Sequence, residues 1–591
     1  MKFLCSLLLL VSVSVFSQSE VLAREYFKNG DFEKALYEYK KVYAQSSSNV
    51  TIISQIVATH QELEQYAEAE AFLLKVMERI KYPSFFVELG YNYQLKGDAN
   101  NANLYYDKAF ESIEEQPNYV FSIARSFQLH TLLNEAVKAY ETAMQLKPDL
   151  NFNYQLAQLY GEQGNIEGMF NKYIDFIETN PTSVNNVKRA INDFISEDGT
   201  KPNNLLFKKV LLKKIQQNPD LIYNELLSWL FIQQKEFGKA FMQEKAIFNR
   251  NPESLYKIAE LALIAVNEGE TEIAKTIFTF IIETSQDKDM ALNAEYHLLE
   301  LQIKENDKKQ YAQIESKYKT LFEQYGLGSP TLNLQIAYAR FLAFYKTDAP
   351  EAISFLEKSL ELPLTEVQKA QIKLQLGDIL VLQEQFNKAL IYYTQIQRNL
   401  KNSTLSQEAR YKVAKASYYK GDFKWAESQL KVLKSSTSQL IANDALDLKL
   451  LISDNKYSDS LQTALKQYAK ADLLAFQNKN TEAITVLSHI LETHKTEDII
   501  PQALFKQAQL FEIENQYDKA ATNYKAIIDN YSDGVLIDDA LFNLANLYET
   551  KLNQPEEAKT LYEQIIFNHA DSIYFIDARK RFRALRGDTI N

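Results

Sequence analysis

The sequence contains few of the residues that form tight turns or covalent cross-links. Among 591 residues there are 15 glycines, 12 prolines and a single cysteine, Cys5. The scarcity of glycine and proline argues against a fold built from β-hairpins, whose tight turns depend on such residues. A single cysteine excludes a disulfide within the chain. We therefore predict an almost wholly helical protein that is stabilised by packing alone.

Long apolar runs are also missing, apart from one at the amino terminus. Lys2 is followed by an apolar stretch from Leu4 to Val13 and a small-x-small pattern ending at Ser17, which predicts a signal peptide over residues 1–17. Cys5 precedes most of this stretch, unlike a lipoprotein cysteine, which follows it. We expect a cleaved, unlipidated protein with no integral membrane segment in the mature chain. The predicted location is the periplasm, with outer-membrane association or secretion as alternatives.

The charge balance is acidic, and no catalytic motif is present. Lys and Arg number 65 against 77 Asp and Glu, a formal net charge of −12, which argues against nucleic acid as a partner. The six histidines are scattered, and His489 and His494 are five residues apart, so they do not share a helix face. There is no zinc-protease motif, phosphate loop or nucleophile elbow. We predict a protein that is not an enzyme and uses no cofactor or metal.

A regular spacing of small residues is present instead. Steps of 34, 33, 34 and 33 residues separate five matched positions, which are Ala35, Ala69, Ala102, Ala136 and Met169. A period in the low thirties is typical of stacked two-helix units. Apolar residues make up 46% of the chain, and 36 tyrosines and 34 phenylalanines supply bulk for an extended core. The fold class predicted is all-α.

The best-formed units share a packing scheme. Gly90 marks a close helix crossing in the first helix, and Ala102 and Tyr106 follow in the second; Ala124, Ala136 and Tyr140 repeat this pattern. These residues resemble the tetratricopeptide repeat family, most strongly over residues 19–181. The resemblance implies an α-solenoid, a right-handed superhelix of about 14 or 15 stacked helix pairs.

The period lengthens toward the carboxyl terminus. Steps of 37 or 38 residues join two sets of alanines, Ala352, Ala389 and Ala426, and then Ala483, Ala520 and Ala558. The added residues predict longer helices or longer links. The 57 residues between Ala426 and Ala483 predict an atypical helix pair. A Gly-rich cluster at 326–330 is the predicted boundary between an amino-terminal array (18–325) and a carboxyl-terminal array (331–591).

The carboxyl-terminal repeats, residues 365–585, also resemble envelope-assembly tetratricopeptide proteins such as the outer-membrane β-barrel assembly lipoprotein and the Tol–Pal coordinator. The segment Asn568 to Ser572, followed by Ala578 to Phe582, carries this resemblance. The missing lipoprotein cysteine is a departure from the lipoprotein group.

In the family that the chain resembles, the first helix of each pair lines a concave groove. Counting −3, +1 and +4 from the close-crossing residue gives the candidate partner-binding positions, which are Val87, Tyr91, Gln94, Phe121, Arg125, Gln128, Tyr154 and Gln158 in the amino-terminal array and Tyr411, Lys415 and Tyr418 in the carboxyl-terminal array. Rings and amides suit an extended peptide. The alternative is that these residues fill the groove or contact a helix of the same chain. The family's carboxylate clamp is not supported, since Glu20, Arg24, Ser54 and Ala58 occupy its positions.

Two functions remain open at this stage. The leading hypothesis is a scaffold of the bacterial cell envelope that binds partner proteins or peptides during envelope assembly, secretion or motility. The alternative is a glycan- or nutrient-binding protein of the outer-membrane system. The small number of tryptophans (2) and the lack of an insertion beyond the repeats count against that alternative.

Overall fold

The computed structural model describes residues 19–305, 307–433, 438–456 and 461–588. All regular secondary structure within these ranges is helical. The predicted signal peptide, residues 1–17, lies outside the described residues. Consecutive helices pack against each other in antiparallel pairs, so the all-α solenoid predicted from the sequence is confirmed. The chain divides into two compact units, one ending at Ser254 and the other starting at Leu255.

The first unit contains the helices of the strongest sequence repeats. Its helices are α1 (19–28), α2 (Phe32–Gln45), α3 (Val50–Glu62), α4 (Tyr66–Arg79), α5 (Ser84–Leu95), α6 (Ala99–Glu115), α7 (Val120–Leu129), α8 (Leu133–Leu146), α9 (Asn153–Glu162), α10 (Ile166–Thr179), α11 (Val184–Ile191), α12 (Pro202–Gln217), α13 (Leu221–Gln233) and α14 (Phe237–Arg250).

The second unit contains the repeats with the longer period. Its helices are α15 (Tyr256–Asn267), α16 (Thr271–Thr284), α17 (Lys288–Lys304), α18 (Tyr311–Tyr325), α19 (Leu332–Phe344), α20 (Ala349–Leu360), α21 (Glu366–Leu382), α22 (Phe386–Asn399), α23 (Thr404–Tyr419), α24 (Phe423–Leu433), α25 (Gln439–Asn455), α26 (Thr463–Phe476), α27 (Asn480–Thr493), α28 (Ile500–Ile513), α29 (Tyr517–Asn530), α30 (Ile537–Thr550), α31 (Pro555–Asn568) and α32 (Phe575–Arg586).

The close helix crossings explain why small residues recur. A Cβ atom built on Gly90 of α5 would lie 2.5 Å from the Tyr106 ring of α6, so only glycine fits there. The same Tyr106 ring contacts Phe127 of the next pair edge-on at 5.4 Å. Tyr106 therefore packs both within its own pair and against the following one.

Most turns between paired helices contain one residue in the left-handed conformation. Glycine occupies it in some repeats, for example Gly97 (φ 81°) and Gly164 (φ 73°), and other residues in others, such as Thr131 (φ 59°). This conformation ends the first helix of the pair and reverses the chain within three or four residues. The chain therefore needs few glycines and prolines to make many turns.

The longer period arises from both predicted sources. Helices α21, α23 and α25 have 17, 16 and 17 residues. Further on, the first helices return to 14 residues, and links of six residues, such as 494–499 and 531–536, supply the added length. Between α24 and α26, the described residues 438–456 and 461–462 contain one helix, α25. The atypical pair predicted between Ala426 and Ala483 is therefore a single added helix.

In the second unit, α26 packs against helices that precede it by several pairs. The Phe476 ring lies 5.5 Å from the Phe344 ring at the end of α19. The Gln477 side chain donates a hydrogen bond to the carbonyl of Leu382, the last residue of α21 (3.0 Å). The array is therefore wound tightly enough here to bring α26 against α19, α21 and α23.

The predicted boundary at 326–330 lies in the link between α18 and α19, inside the second compact unit. Gly326 adopts a positive φ of 75°, and the Thr331 hydroxyl donates to its carbonyl. The division of the chain into arrays 18–325 and 331–591 stays a prediction.

Candidate partner-binding surfaces

Part of the predicted amino-terminal surface is open to solvent. The Phe121 side chain is 48% exposed on α7, and Arg125 one turn later is also exposed. Gln158 is exposed on α9. These three residues combine a ring, a cation and an amide on neighbouring first helices. They are therefore placed where a partner can reach them.

Val87 is placed differently from the prediction. Its side chain is fully buried (0% exposed), because α5 contacts α3, α4, α6 and α7 and is apolar around most of its circumference. The −3 position of this helix therefore packs in the core and cannot contact a partner.

Tyr91 belongs to a polar cluster between α5 and α7. Its ring stacks on His130 with centroids 3.8 Å apart. The buried Glu88 carboxylate accepts a hydrogen bond from the Ser126 hydroxyl (2.6 Å) and bonds to Nε2 of His130 (3.0 Å). Because the carboxylate lies between the hydroxyl and the imidazole, the imidazole is not placed to remove the serine proton. The cluster joins two repeats and fixes the Tyr91 ring.

The remaining predicted positions of this surface are engaged by the chain itself. Gln94 accepts a hydrogen bond from the Tyr106 hydroxyl (2.9 Å), and Gln128 donates to Glu162 (2.7 Å). The Tyr154 ring packs edge-on against neighbouring rings of α10. Part of the amino-terminal surface is thus occupied by contacts within the chain, which is the alternative that the sequence left open.

The predicted carboxyl-terminal surface is covered by α26. Lys415 donates to Asp472 of α26 (2.7 Å), and Lys506 of α28 pairs with the same carboxylate (2.9 Å). Burial by itself would raise the pKa of Asp472, but the two ammonium groups lower it to about 2. Tyr418 is fully buried (0% exposed), so it is a core residue and its predicted partner-binding position is wrong.

Tyr411 lies beside this ion-pair cluster and is half-buried. Burial, followed by the nearby charges of Asp444 and Asp472, raises the pKa of Tyr411 to about 12. The hydroxyl is therefore neutral at physiological pH. In this region, Lys415 and Tyr411 contribute to packing between α23, α25 and α26 more than to an open groove.

The structure also contains a cavity that the sequence did not reveal. It has a volume of about 720 Å³ and lies along the first helices α15, α17 and α19. The residues lining it include Ala259, Glu260 and Leu263 of α15, Asp289, Asn293 and His297 of α17, and Asn333 and Leu334 of α19. Ligand pockets for small molecules and cofactors fall in the same size range, about 300–1,000 Å³.

The floor of this cavity is apolar and aromatic. His297 stacks on Phe278 of α16 with centroids 5.2 Å apart, and the Tyr296 ring meets His297 edge-on at 5.0 Å. Burial lowers the pKa of His297, so the imidazole is neutral at pH 7. Leu263, at the side of the cavity, is 38% exposed. This floor offers a flat surface for an aliphatic chain or a ring.

The rim of the cavity is polar and acidic. Asn293 and Asn333 are exposed, and no hydrogen bond joins either amide to another described residue. Three carboxylates line the cavity, Glu260, Asp287 and Asp289, and the lining includes no Lys or Arg. Asp287 also accepts from backbone N–H groups at the start of α17. The cavity therefore combines unused amide groups with excess negative charge.

One feature of the sequence could have located part of this cavity. Ala262, twelve residues before Ala274, occupies the crossing position of α15, and its −3 and +1 neighbours are Ala259 and Leu263, which both line the cavity. Helices α17 and α19 carry no Gly or Ala at this twelve-residue spacing from the matched alanine of the following helix. The count that located the other candidates had no starting residue there.

The described residues contain neither a metal-binding cluster nor a helix suited to crossing a membrane. No group of three or more His, Cys, Asp or Glu side chains is placed to hold a metal ion within the described ranges. Among the same residues, no helix combines the length and apolar character needed to cross a membrane.

The comparisons with known proteins agree with the repeat architecture. The family model described as "Tetratricopeptide repeat" matches residues 502–534 and 539–572, which span α28 to α31 and the start of the next link. These two matches place tetratricopeptide repeats in the carboxyl-terminal part of the chain. No curated protein matches the sequence.

Two solved structures illustrate the likeness to other helical arrays. A chain of the structure of Naa15/Naa10 bound to HypK-THB is 12% identical with a TM-score of 0.28, over 97% of this chain and 94% of that one. A chain of the APC/C hetero-tetramer Cut9-Hcn1 is 12% identical with a TM-score of 0.24, over 96% of each chain. Scores this low carry no argument about function.

Proposed function

We propose that this protein is a non-enzymatic scaffold that binds an extended segment of a partner protein in the cavity along α15, α17 and α19. The observation that carries the proposal is the cavity itself, with two exposed amides, Asn293 and Asn333, that no described residue uses. An extended peptide has backbone N–H and C=O groups that side-chain amides can pair with. The tetratricopeptide repeat matches support an interaction role.

The exposed residues of α7 and α9 form a second surface for this scaffold. Phe121, Arg125 and Gln158 are accessible and lie on first helices of the first unit. This surface supports a contact with a broader protein face, because its exposed side chains are spread over two neighbouring first helices. Both surfaces belong to the same class of function.

The cellular setting is part of the proposal. A cleaved signal peptide at residues 1–17 would carry the protein to the periplasm of a bacterium, where it would act in envelope assembly, secretion or motility. The resemblance of residues 365–585 to envelope-assembly repeat proteins supports this setting. Amino-terminal sequencing of the protein from a periplasmic fraction tests it, and a mature chain starting at Met1 in the cytoplasm would contradict it.

Site-specific photo-crosslinking in cells tests the scaffold function. A photoreactive amino acid replaces Asn293 in the cavity, Arg125 on α7, or the exposed Lys525 on the second helix α29 as the control. We expect one protein to be crosslinked at position 293 and not at the control position 525. We also expect that protein, once purified, to bind the purified chain. Capture of no protein from Asn293 or Arg125, together with retention of the chain on envelope polysaccharide, would favour the glycan-binding alternative.

A further inference from the structure

We propose that the segment held in the α15–α17–α19 cavity carries a lysine or arginine next to an apolar side chain. This inference rests on the proposed function and adds the chemistry of the partner. Its starting observation is the unequal charge of the cavity, which has three carboxylates and no cationic residue in its lining.

Two carboxylates of the cavity lack the ion pairs that other carboxylates in the same repeats form. Outside the cavity, Glu295 pairs with Lys317, Glu300 with Arg340, and Glu272 with Lys275. Glu260 and Asp289 form no ion pair with any described residue, although both are exposed at the cavity rim. Carboxylates on α15 and α17 that face one cavity repel each other unless a cation lies between them. A basic side chain of the partner would supply that cation.

The floor of the cavity matches the rest of a basic side chain. Lys and Arg carry three or four methylene groups that pack on apolar surfaces while the charged end stays in contact with water. Leu263 and the stacked Phe278–His297 pair provide such a surface. The Tyr296 ring adds a face on which an ammonium or guanidinium group is attracted. An apolar neighbour in the segment would occupy the remaining floor near Leu334.

The charges nearest in sequence do not neutralise this site. Lys257 and Lys288 adjoin lining residues of α15 and α17, but neither lines the cavity. The neutral His297 adds no positive charge at pH 7. An acidic segment would meet repulsion at the rim, and a neutral one would leave the carboxylates without a partner. Charge complementarity therefore selects a basic segment.

The test uses the full chain and three libraries of fluorescent nonapeptides. The central residue is Lys or Arg in the first library, Asp or Glu in the second, and Gln or Leu in the third. We expect the basic library to bind at least about tenfold more tightly than the acidic one, measured by fluorescence anisotropy. We also expect its binding to weaken as salt is raised from low to physiological concentration, because salt screens exposed charges.

Two double variants separate the site from the overall charge. E260Q/D289N removes two cavity carboxylates, while E283Q/E323Q removes two exposed carboxylates from the second helices α16 and α18. We expect the basic library to bind about tenfold less tightly to E260Q/D289N and unchanged to E283Q/E323Q, in line with the cost of losing close charge pairs. Equal losses in both variants would overturn the inference.

The results also distinguish the inference from the proposed function. If the neutral or acidic library binds as tightly as the basic one and competes with crosslinking from Asn293, the cavity binds peptides but the charge inference is wrong. If no library binds and none competes with crosslinking, the proposed function of this cavity fails as well.

Discussion

At the scale of single residues, the close helix crossings impose the strictest requirement on side-chain size. Gly377 of α21 lies directly against the Tyr393 ring of α22. The Tyr393 hydroxyl donates to Asp378 (2.7 Å), which also accepts from Lys412 (2.8 Å). The ring is fully buried and held at its far end, so it has no room to move away from a new methyl group.

We therefore expect G377A to lower the free energy of unfolding by about 2 kcal/mol, since overpacking a rigid core outweighs the better helix propensity of alanine. Urea unfolding followed by circular dichroism measures the change. G328A is the matched control, because its Cβ would only approach Pro330 at 3.8 Å. Equal stability of both variants would show that the crossing is looser than the structure indicates.

The buried ion pairs of Asp472 make the stability of this region dependent on pH. Because the pKa of Asp472 is about 2 in the folded chain and about 3.9 in an unfolded one, the carboxylate contributes about 3 kcal/mol above pH 4. That contribution is lost as the pH falls from about 4 to about 2. We expect D472N to be less stable at pH 7, where it leaves Lys415 and Lys506 without their partner.

The difference between D472N and the unmodified chain should disappear toward pH 2, since protonation then removes from the unmodified chain the charge that D472N lacks at every pH. Thermal unfolding at several pH values measures this convergence. The exposed Asp533 provides the control variant D533N, for which we expect a change within about 0.5 kcal/mol at every pH. A difference between D472N and the unmodified chain that stays constant from pH 7 to pH 2 would contradict the argument.

The candidate residues predicted from the sequence differ in how the structure places them. Phe121, Arg125 and Gln158 are exposed on α7 and α9, and their contact with a partner stays a prediction. Val87 was misplaced because α5 is covered on nearly every side. Tyr418 was misplaced because α26, which covers it, is not its neighbour in the repeat order. The spacing of residues along a helix predicts which of them share a face. It does not show which other helix packs against that face.

At the scale of elements, the turns between helices carry strain that a single substitution can relieve. Thr131 is exposed and has φ 59°, a conformation in which a β-branched side chain crowds its own backbone. Gly164 holds the equivalent turn one repeat later with φ 73°, and no atom would lie within 4 Å of an added Cβ. The two turns form a matched pair.

We expect T131G to raise the free energy of unfolding by about 0.5–1 kcal/mol and G164A to lower it by about 1 kcal/mol. Both effects come from backbone conformation alone, because neither side chain packs against another residue. Chemical unfolding of the two variants beside the unmodified chain measures them. Destabilisation by T131G would mean that the threonine forms a contact that outweighs its strain.

The helices and turns themselves were largely predictable from the sequence. The alanine spacing located the second helices, and the longer steps correctly indicated added length in α21, α23 and the later links. The number of residues between Ala426 and Ala483 was enough to predict an irregular pair. It was not enough to show that α25 is a single helix, because one helix and a shortened pair require similar chain lengths.

At the scale of the molecule, the second unit departs from the one-dimensional behaviour expected of a repeat array. In most solenoids each repeat contacts only its neighbours, so a local change affects stability locally. Here α26 contacts α19 and α21 through Phe476 and Gln477, across a sequence separation of about one hundred residues. No local pattern in the sequence indicates such a contact.

This contact predicts cooperative unfolding between helices that are distant in sequence. We expect F476A to weaken α26 by about 2 kcal/mol and to speed amide hydrogen exchange at the ends of α19 and α21 as well, because its ring packs beside Phe344 and the adjoining core. F511A, in the more regular repeat of α28 and α29, is the control and should speed exchange only in that repeat and the adjacent ones. Amide hydrogen exchange measured by mass spectrometry over residues 332–344 and 366–382 tests whether the effect of F476A reaches α19 and α21. Unchanged protection there in F476A would mean that the unit unfolds one repeat at a time and that the contact with α26 adds no coupling.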